Sequence, residues 1–172
     1  MSNDNLKYII QYLLFVLVQG LFFGQLEFGW GIHPMIYPIF ILLLPFETPA
    51  ALLMLIGFIT GISVDFFMNT FGLHASAAIL VAYLRPFIYG VFAPRDGYDS
   101  LKKPTLFENG FLWFFSSYGV LISIHHLVFF SLEIFRLSDF FLIIQKTILS
   151  SIITLSLIVL IQFMFFRKEK VI

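Results

Sequence analysis

From Phe140 to Phe166 the chain is an almost unbroken apolar run whose single formal charge is Lys146. Such a run matches the roughly 20 apolar residues that an α-helix needs to cross a bilayer. Shorter runs of the same kind recur along the chain, and they are continuous rather than alternating with period two, which favours helices over a membrane barrel. With 60% hydrophobic and only 12% charged residues and a mean hydropathy of +0.97, a water-soluble domain could not cover its apolar surface. The expected fold is an all-α polytopic membrane protein set in a lipid bilayer.

The same composition closes off several functions. Cysteine is absent, which removes disulfides, thiolate metal sites and thiol catalysis. A formal net charge of zero offers no general attraction to nucleic acid. His-Glu-x-x-His, Gly-x-Ser-x-Gly and phosphate-loop patterns are all missing, so neither an enzyme nor a cofactor is expected.

Turn residues divide the chain into six expected spans, 6–23, 35–45, 49–68, 73–92, 106–131 and 140–166. The first lacks a basic n-region and a small-x-small cleavage site, so it is expected to stay in the mature protein. Gly24 to Pro34, with Glu27 and Trp30, reads as an interfacial loop. The second span is short and tilted or broken, because Pro38 interrupts it and Pro45 closes it. Thr48 is a candidate N-cap for the third, with Pro49 in its first position. Arg85 and Pro86 fall in the last turns of the fourth. Thr105 and Glu108 have capping-box spacing at the start of the fifth. Arg167, Lys168, Glu169 and Lys170 stop the sixth in water.

Six spans put both termini on one side. Lys7, Arg95, Lys102, Lys103, Arg167, Lys168 and Lys170 fall on that side, with Arg85 near it, against Arg136 and Lys146 opposite. The positive-inside rule then makes both termini cytoplasmic. Lys146 is expected to snorkel to the outer interface, and Arg85 either to snorkel inward or to cap the hairpin of the third and fourth spans through backbone carbonyls.

Gly57, Gly61 and Asp65 recur every four residues along one face of the third span. His74, Ala78, Ala82 and Arg85 form a face on the fourth, beyond a turn that contains Gly72. These small-residue faces can close into an antiparallel hairpin, because glycine and alanine allow close backbone approach. A carboxylate at membrane depth costs roughly 2.5–3.5 kcal/mol, so Asp65 needs a partner. His74 is at the same level, whereas Arg85 lies roughly 16 Å deeper, so the expected partner is His74 or a donor on another protein. Whether the glycine face is covered by the fourth span or offered to a partner stays open. His33, His125 and His126 fall near the outer rim with His74 and Asp65, but their separation across three segments argues against a metal site.

Gly57, Phe58, Gly61, Asp65, Gly72, Leu73 and His74, in a chain of this length, span number and basic ends, resemble the bacterial rod-shape-determining MreD family. The resemblance implies a non-enzymatic inner-membrane component of the machinery that elongates peptidoglycan. It further implies association with an MreC-like bitopic membrane protein, which connects to the elongation transpeptidase and a RodA-type glycosyltransferase, and with an MreB-like filament inside. The candidate helix-packing or partner-binding residues are Gly57, Gly61, Asp65, Gly72 and His74 and, from the face of the fourth span, Arg85, where Arg85 and Pro86 depart from the family pattern. The family is also similar in fold to the substrate-binding membrane subunits of energy-coupling-factor transporters. That likeness supplies an alternative function, capture of a vitamin or another small molecule for transport.

Overall fold

The computed structural model describes residues 3–26, 29–99 and 102–166. Glu27 and the cluster Arg167, Lys168, Glu169 and Lys170 lie outside the described residues. All regular structure among those described is helical: α1 (Asn3–Leu17), α2 (Pro38–Leu42), α3 (Ala50–Met68), α4 (Leu73–Val91), α5 (Leu106–Asn109), α6 (Phe111–Ile134) and α7 (Phe140–Phe165). A π-turn over Val18–Phe22 and a 3-10 turn over Phe23–Gln25 prolong α1.

Five helices, not six, are long and apolar enough to cross a membrane: Leu6–Gln25, α3, α4, α6 and α7. The expected second helix over 35–45 shrinks to the five residues of α2. Pro34, Pro38 and Pro45 have no amide hydrogen to give, so a regular helix cannot be maintained there. Instead the stretch is buried: Met35, Ile36, Tyr37, Ile39, Ile41 and Leu42 are at most 3% exposed. Irregular backbone at membrane depth is tolerated only where protein surrounds it.

The most extensive packing is α3 on α4, followed by α4 on α6 and α6 on α7. The α1 continuation runs alongside α3 in the same direction, since Gly20 sits against Phe67 and Gly24 against Met68. The chain from 33 to 45 therefore runs back through the bundle, from Tyr37 beside His74 to Pro45 beside Arg85. Eleven residues of α4 separate those contacts, about 16 Å. The Asp65 end of the molecule holds the α3–α4 and α6–α7 turns. The Arg85 end holds the starts of α1, α3 and α6 and the last turns of α4 and α7.

Two start signals act differently from their expected form. Thr48 donates its hydroxyl to the Pro45 carbonyl at 2.8 Å, and Pro49, with no side-chain acceptor, is the N-cap of α3. Thr105 does accept the Glu108 amide, at 3.4 Å, yet the helix it opens ends after four residues. Gly110, at φ +85°, splits the expected fifth span into α5 and α6, because that backbone conformation is open to glycine and strained for other residues. Outside the spans, Tyr98 donates to the Tyr89 carbonyl at 2.6 Å and accepts from Trp113 Nε1 at 2.7 Å. These bonds fasten the long loop to the Arg85 end, and burial raises the phenol pKa of Tyr98.

Candidate functional site

The α3–α4 turn begins where Asn69 and Phe71 adopt left-handed backbone (φ 55° and 47°) and Gly72 follows at φ +94°. Gly72 is the N-cap of α4, and glycine has no side chain with which to satisfy the first amides. Asp65 supplies the missing acceptor from the preceding helix. Its Oδ1 accepts the His74 amide at 3.0 Å and the Thr70 hydroxyl at 2.5 Å, and its Oδ2 accepts the Ala75 amide at 2.9 Å. The carboxylate is 4% exposed, and its charge faces the positive end of the α4 dipole. The partner of Asp65 is thus the backbone of α4, and no bond reaches the His74 ring.

The glycines allow that capping geometry. A Cβ on Gly61 would lie 2.6 Å from the Ala75 nitrogen and 2.8 Å from the His74 carbonyl carbon. On Gly57 it would lie 3.0 Å from the Ala78 oxygen and 3.2 Å from the Ala82 methyl. The glycine face of α3 is therefore covered by α4 of the same chain. It is not presented outward.

Arg85 neither snorkels nor caps the hairpin. It is fully buried, and its guanidinium donates to the carbonyls of Leu42, Leu44 and Pro45. These carbonyls lie at and just past the end of α2, where helix amides run out, and Pro45 O also accepts the Thr48 amide and hydroxyl. Tyr89 donates to Leu42 O at 2.9 Å, and its ring lies 4.8 Å from the guanidinium carbon.

The other half of the internal segment is satisfied by polar residues that sequence reasoning missed. Gln19, placed inward by the π-turn, donates to Pro34 O at 3.2 Å and accepts the Ile36 amide at 2.7 Å. Ser150 accepts the His33 amide at 3.1 Å, and Thr154 accepts the Met35 amide at 3.0 Å. A scan of the last span for polar periodicity would have found Thr147, Ser150, Ser151, Thr154 and Gln162 on one helical face, all buried. Gln19 gives no such pattern.

Tyr37 joins these groups to the histidines. Its hydroxyl donates to His74 O at 3.0 Å, so in the 2.7 Å contact with His125 Nε2 the imidazole is the donor. That leaves His125 Nδ1 as a buried lone pair without a partner, alongside both ring nitrogens of His74. His126 Nδ1 contacts Ile122 O at 2.9 Å, and a carbonyl can only accept. Its Nε2 therefore receives the Thr154 hydroxyl at 3.2 Å. Tyr37 packs edge-on against the rings of His74 and His125 at 5.4 and 5.3 Å.

Of the residues singled out from sequence, Asp65, Gly61, Gly72 and His74 come together at the α4 start. Gly57 continues the seam, and Arg85 stands apart at the opposite end. Among the described residues no three His, Cys, Asp or Glu side chains form a group able to hold a metal ion. Asp65 and His126 already use both of their polar atoms. Lys146 pairs with Glu133 at 2.8 Å and lies 4.7 Å over the Phe130 ring. Comparison with protein-family models, curated proteins and solved structures gives no match.

Proposed function

We propose that this chain is a non-enzymatic scaffold of the bacterial inner membrane, a member of the rod-shape-determining MreD type. In this reading it holds an MreC-like bitopic partner within the peptidoglycan elongation complex. The elongation transpeptidase and RodA-type glycosyltransferase are reached through that partner, and an MreB-like filament lies on the cytoplasmic side. Both termini are cytoplasmic, and the internal segment 33–45 serves as a sixth crossing in the manner of the six-helix energy-coupling-factor subunits. The observation that carries the reading is the closed α3–α4 hairpin. Gly57, Gly61, Asp65, Gly72 and His74, the residues of the resemblance, act as one unit in which Asp65 caps α4 and the glycines admit it. A rigid hairpin of this kind suits a body that positions other membrane proteins.

The unpartnered nitrogens of His74 and His125 favour a second reading, a substrate-binding subunit of a vitamin or small-molecule transporter. Gln19, His125, Ser150 and Thr154 are already bonded to segment 33–37, which weighs toward the scaffold. Purification in mild detergent after crosslinking tests the choice. The scaffold reading expects a single-span envelope-synthesis protein to co-purify. Recovery of a small molecule together with an energy-coupling ATPase favours transport instead.

A further inference from the structure

The α3–α4 and α6–α7 turns share the Asp65 end of the molecule but differ in chemistry. Glu133, Arg136 and Asp139 mark the second as a turn that meets water. The first has nothing comparable, since no Asp, Glu, Lys or Arg stands between Asp65 and Arg85. Its tip instead carries Phe71, 99% exposed, with Phe66 in the last turn of α3 at 80%. Phe71 also holds left-handed backbone at φ 47°, which a bulky residue adopts only under strain. Glycine or asparagine takes that conformation readily, so neither the local backbone nor a protein contact favours a ring here. What favours it lies outside the chain.

Depth points the same way. The rings of His74 and Phe129 lie 4.5 Å apart, which sets α4 and α6 level there. From that level α4 has one residue left before its start at Leu73, whereas α6 runs on five residues to Ile134, so α4 starts short of the α6 end by about 6 Å. The two helices of the hairpin have 19 residues each, against 24 and 26 in α6 and α7. That makes the first pair about 28 Å long and the second about 36 and 39 Å, around a hydrocarbon core of roughly 30 Å.

A turn that ends among lipids must satisfy its own backbone, because acyl chains offer neither donor nor acceptor. This one largely does. The amides of Asn69 and Thr70 go to the Asp65 carbonyl, those of His74 and Ala75 to the Asp65 carboxylate, and those of Leu73 and Ser76 to the carbonyls of Thr70 and Gly72. The Thr70 and Ser76 hydroxyls donate to Asp65 and to the Gly72 carbonyl. The amides of Phe71 and Gly72 and the exposed side chain of Asn69 have no such partner among the described residues. They set the tip at the border of the headgroups rather than deeper.

We propose that the α3–α4 tip stops inside the lipid leaflet, at that border, with Phe71 inserted among the acyl chains. Asp65 there takes the place that water has at an exposed helix start, which accounts for a buried carboxylate committed to backbone amides. The partner of this surface is lipid, and the proposal holds whether the chain is a scaffold or a transport subunit.

Since the chain has no cysteine, a nitroxide can be attached at a single site in the full protein reconstituted into phospholipid bilayers. Labels at Phe71→Cys, at Ile152→Cys on the lipid-facing side of α7, 56% exposed, and at Ser138→Cys in the α6–α7 turn are compared. The readout is collision with oxygen, which concentrates in the acyl layer, against collision with a water-soluble nickel chelate. Phe71 makes almost no contact with the protein, so its replacement should leave the fold intact. Its label is expected roughly 5 Å below the lipid phosphates, shallower than that at Ile152, with the Ser138 label in water. A Phe71 label at or above the phosphates, colliding with nickel as the Ser138 label does, overturns the proposal. So does one shielded from both reagents, which would mark contact with a second copy. Phe71→Trp gives an independent depth: bromines on the acyl chains should quench its fluorescence beyond the background of Trp30 and Trp113, and quenching by aqueous iodide alone overturns the proposal.

Discussion

Asp65 and Ala75 belong to different helices, yet a carboxylate oxygen of the first accepts the backbone amide of the second at 2.9 Å. Since Gly72 gives α4 no capping side chain, the preceding helix provides one. Asp65→Asn keeps one acceptor but turns an NH2 toward one of these amides, so the bond to Ala75 is lost. Asp65→Ala removes the cap altogether and is expected to cost about 2 kcal/mol, with Asn intermediate. Thermal unfolding in detergent reads this order. An Asp65→Ala chain that melts with the parent would remove the capping role.

The α3–α4 contact predicts a graded glycine series. Gly61→Ala places a methyl against backbone atoms that cannot move aside, so it should separate the hairpin and cost several kcal/mol, on the order of 3. Gly57→Ala meets a carbonyl and a methyl at 3.0–3.2 Å and should cost less. Gly29→Ala, with open space around it, should be neutral. Equal melting of the Gly61 and Gly57 variants would contradict the seam.

Arg85 and the α2 carbonyls predict a local effect. Arg85→Met takes the guanidinium from the Leu44 carbonyl, while Pro45 O keeps the Thr48 amide and hydroxyl and Leu42 O the Tyr89 hydroxyl, and should destabilise by about 2 kcal/mol, with Arg85→Lys recovering part of the loss. Hydrogen exchange of peptides spanning 33–45 should rise in the Met variant well before that of α6. Uniform acceleration across all helices would mean that Arg85 supports the whole fold rather than this segment.

At the opposite half of the segment, Gln19 both donates and accepts. Gln19→Glu retains the acceptor for Ile36 but cannot donate to Pro34 while ionised, and Gln19→Leu loses both bonds. A loss of about 2 kcal/mol is expected for Leu. Combined with Arg85→Met it should add nearly in full, because the two sites hold opposite ends of the segment. Strong non-additivity in unfolding midpoints would show that the ends are coupled.

Orientation is open to chemical labelling in intact cells. Gly97 lies in the loop at the Arg85 end and Ser138 in the turn at the Asp65 end. An impermeant maleimide is expected to label Ser138→Cys and spare Gly97→Cys. The reverse pattern overturns the assignment of cytoplasmic termini.

The sequence by itself determined that this chain is helical and apolar enough for a membrane, and it placed α3, α4 and α7 within a residue or so. Those elements are long, and their boundaries are written in local turn chemistry: Pro49 at one end of α3, the Asn69–Gly72 turn at the other, and the apolar run of α7. It also drew attention to Gly61, Asp65 and Gly72, because small residues and a lone carboxylate stand out in an apolar span. Only the tertiary structure decided what they do. The acceptor on Asp65 faces amides nine and ten residues on, which no spacing rule specifies, and the Gly110 break is set by a single backbone angle. The fate of segment 33–45 was least legible. Its prolines say that it is not a regular helix, but its backbone groups are satisfied by Gln19, Arg85, Ser150 and Thr154 from three other helices. Those pairings exist only once the helices have packed around it, because long-range hydrogen bonds carry no local signature.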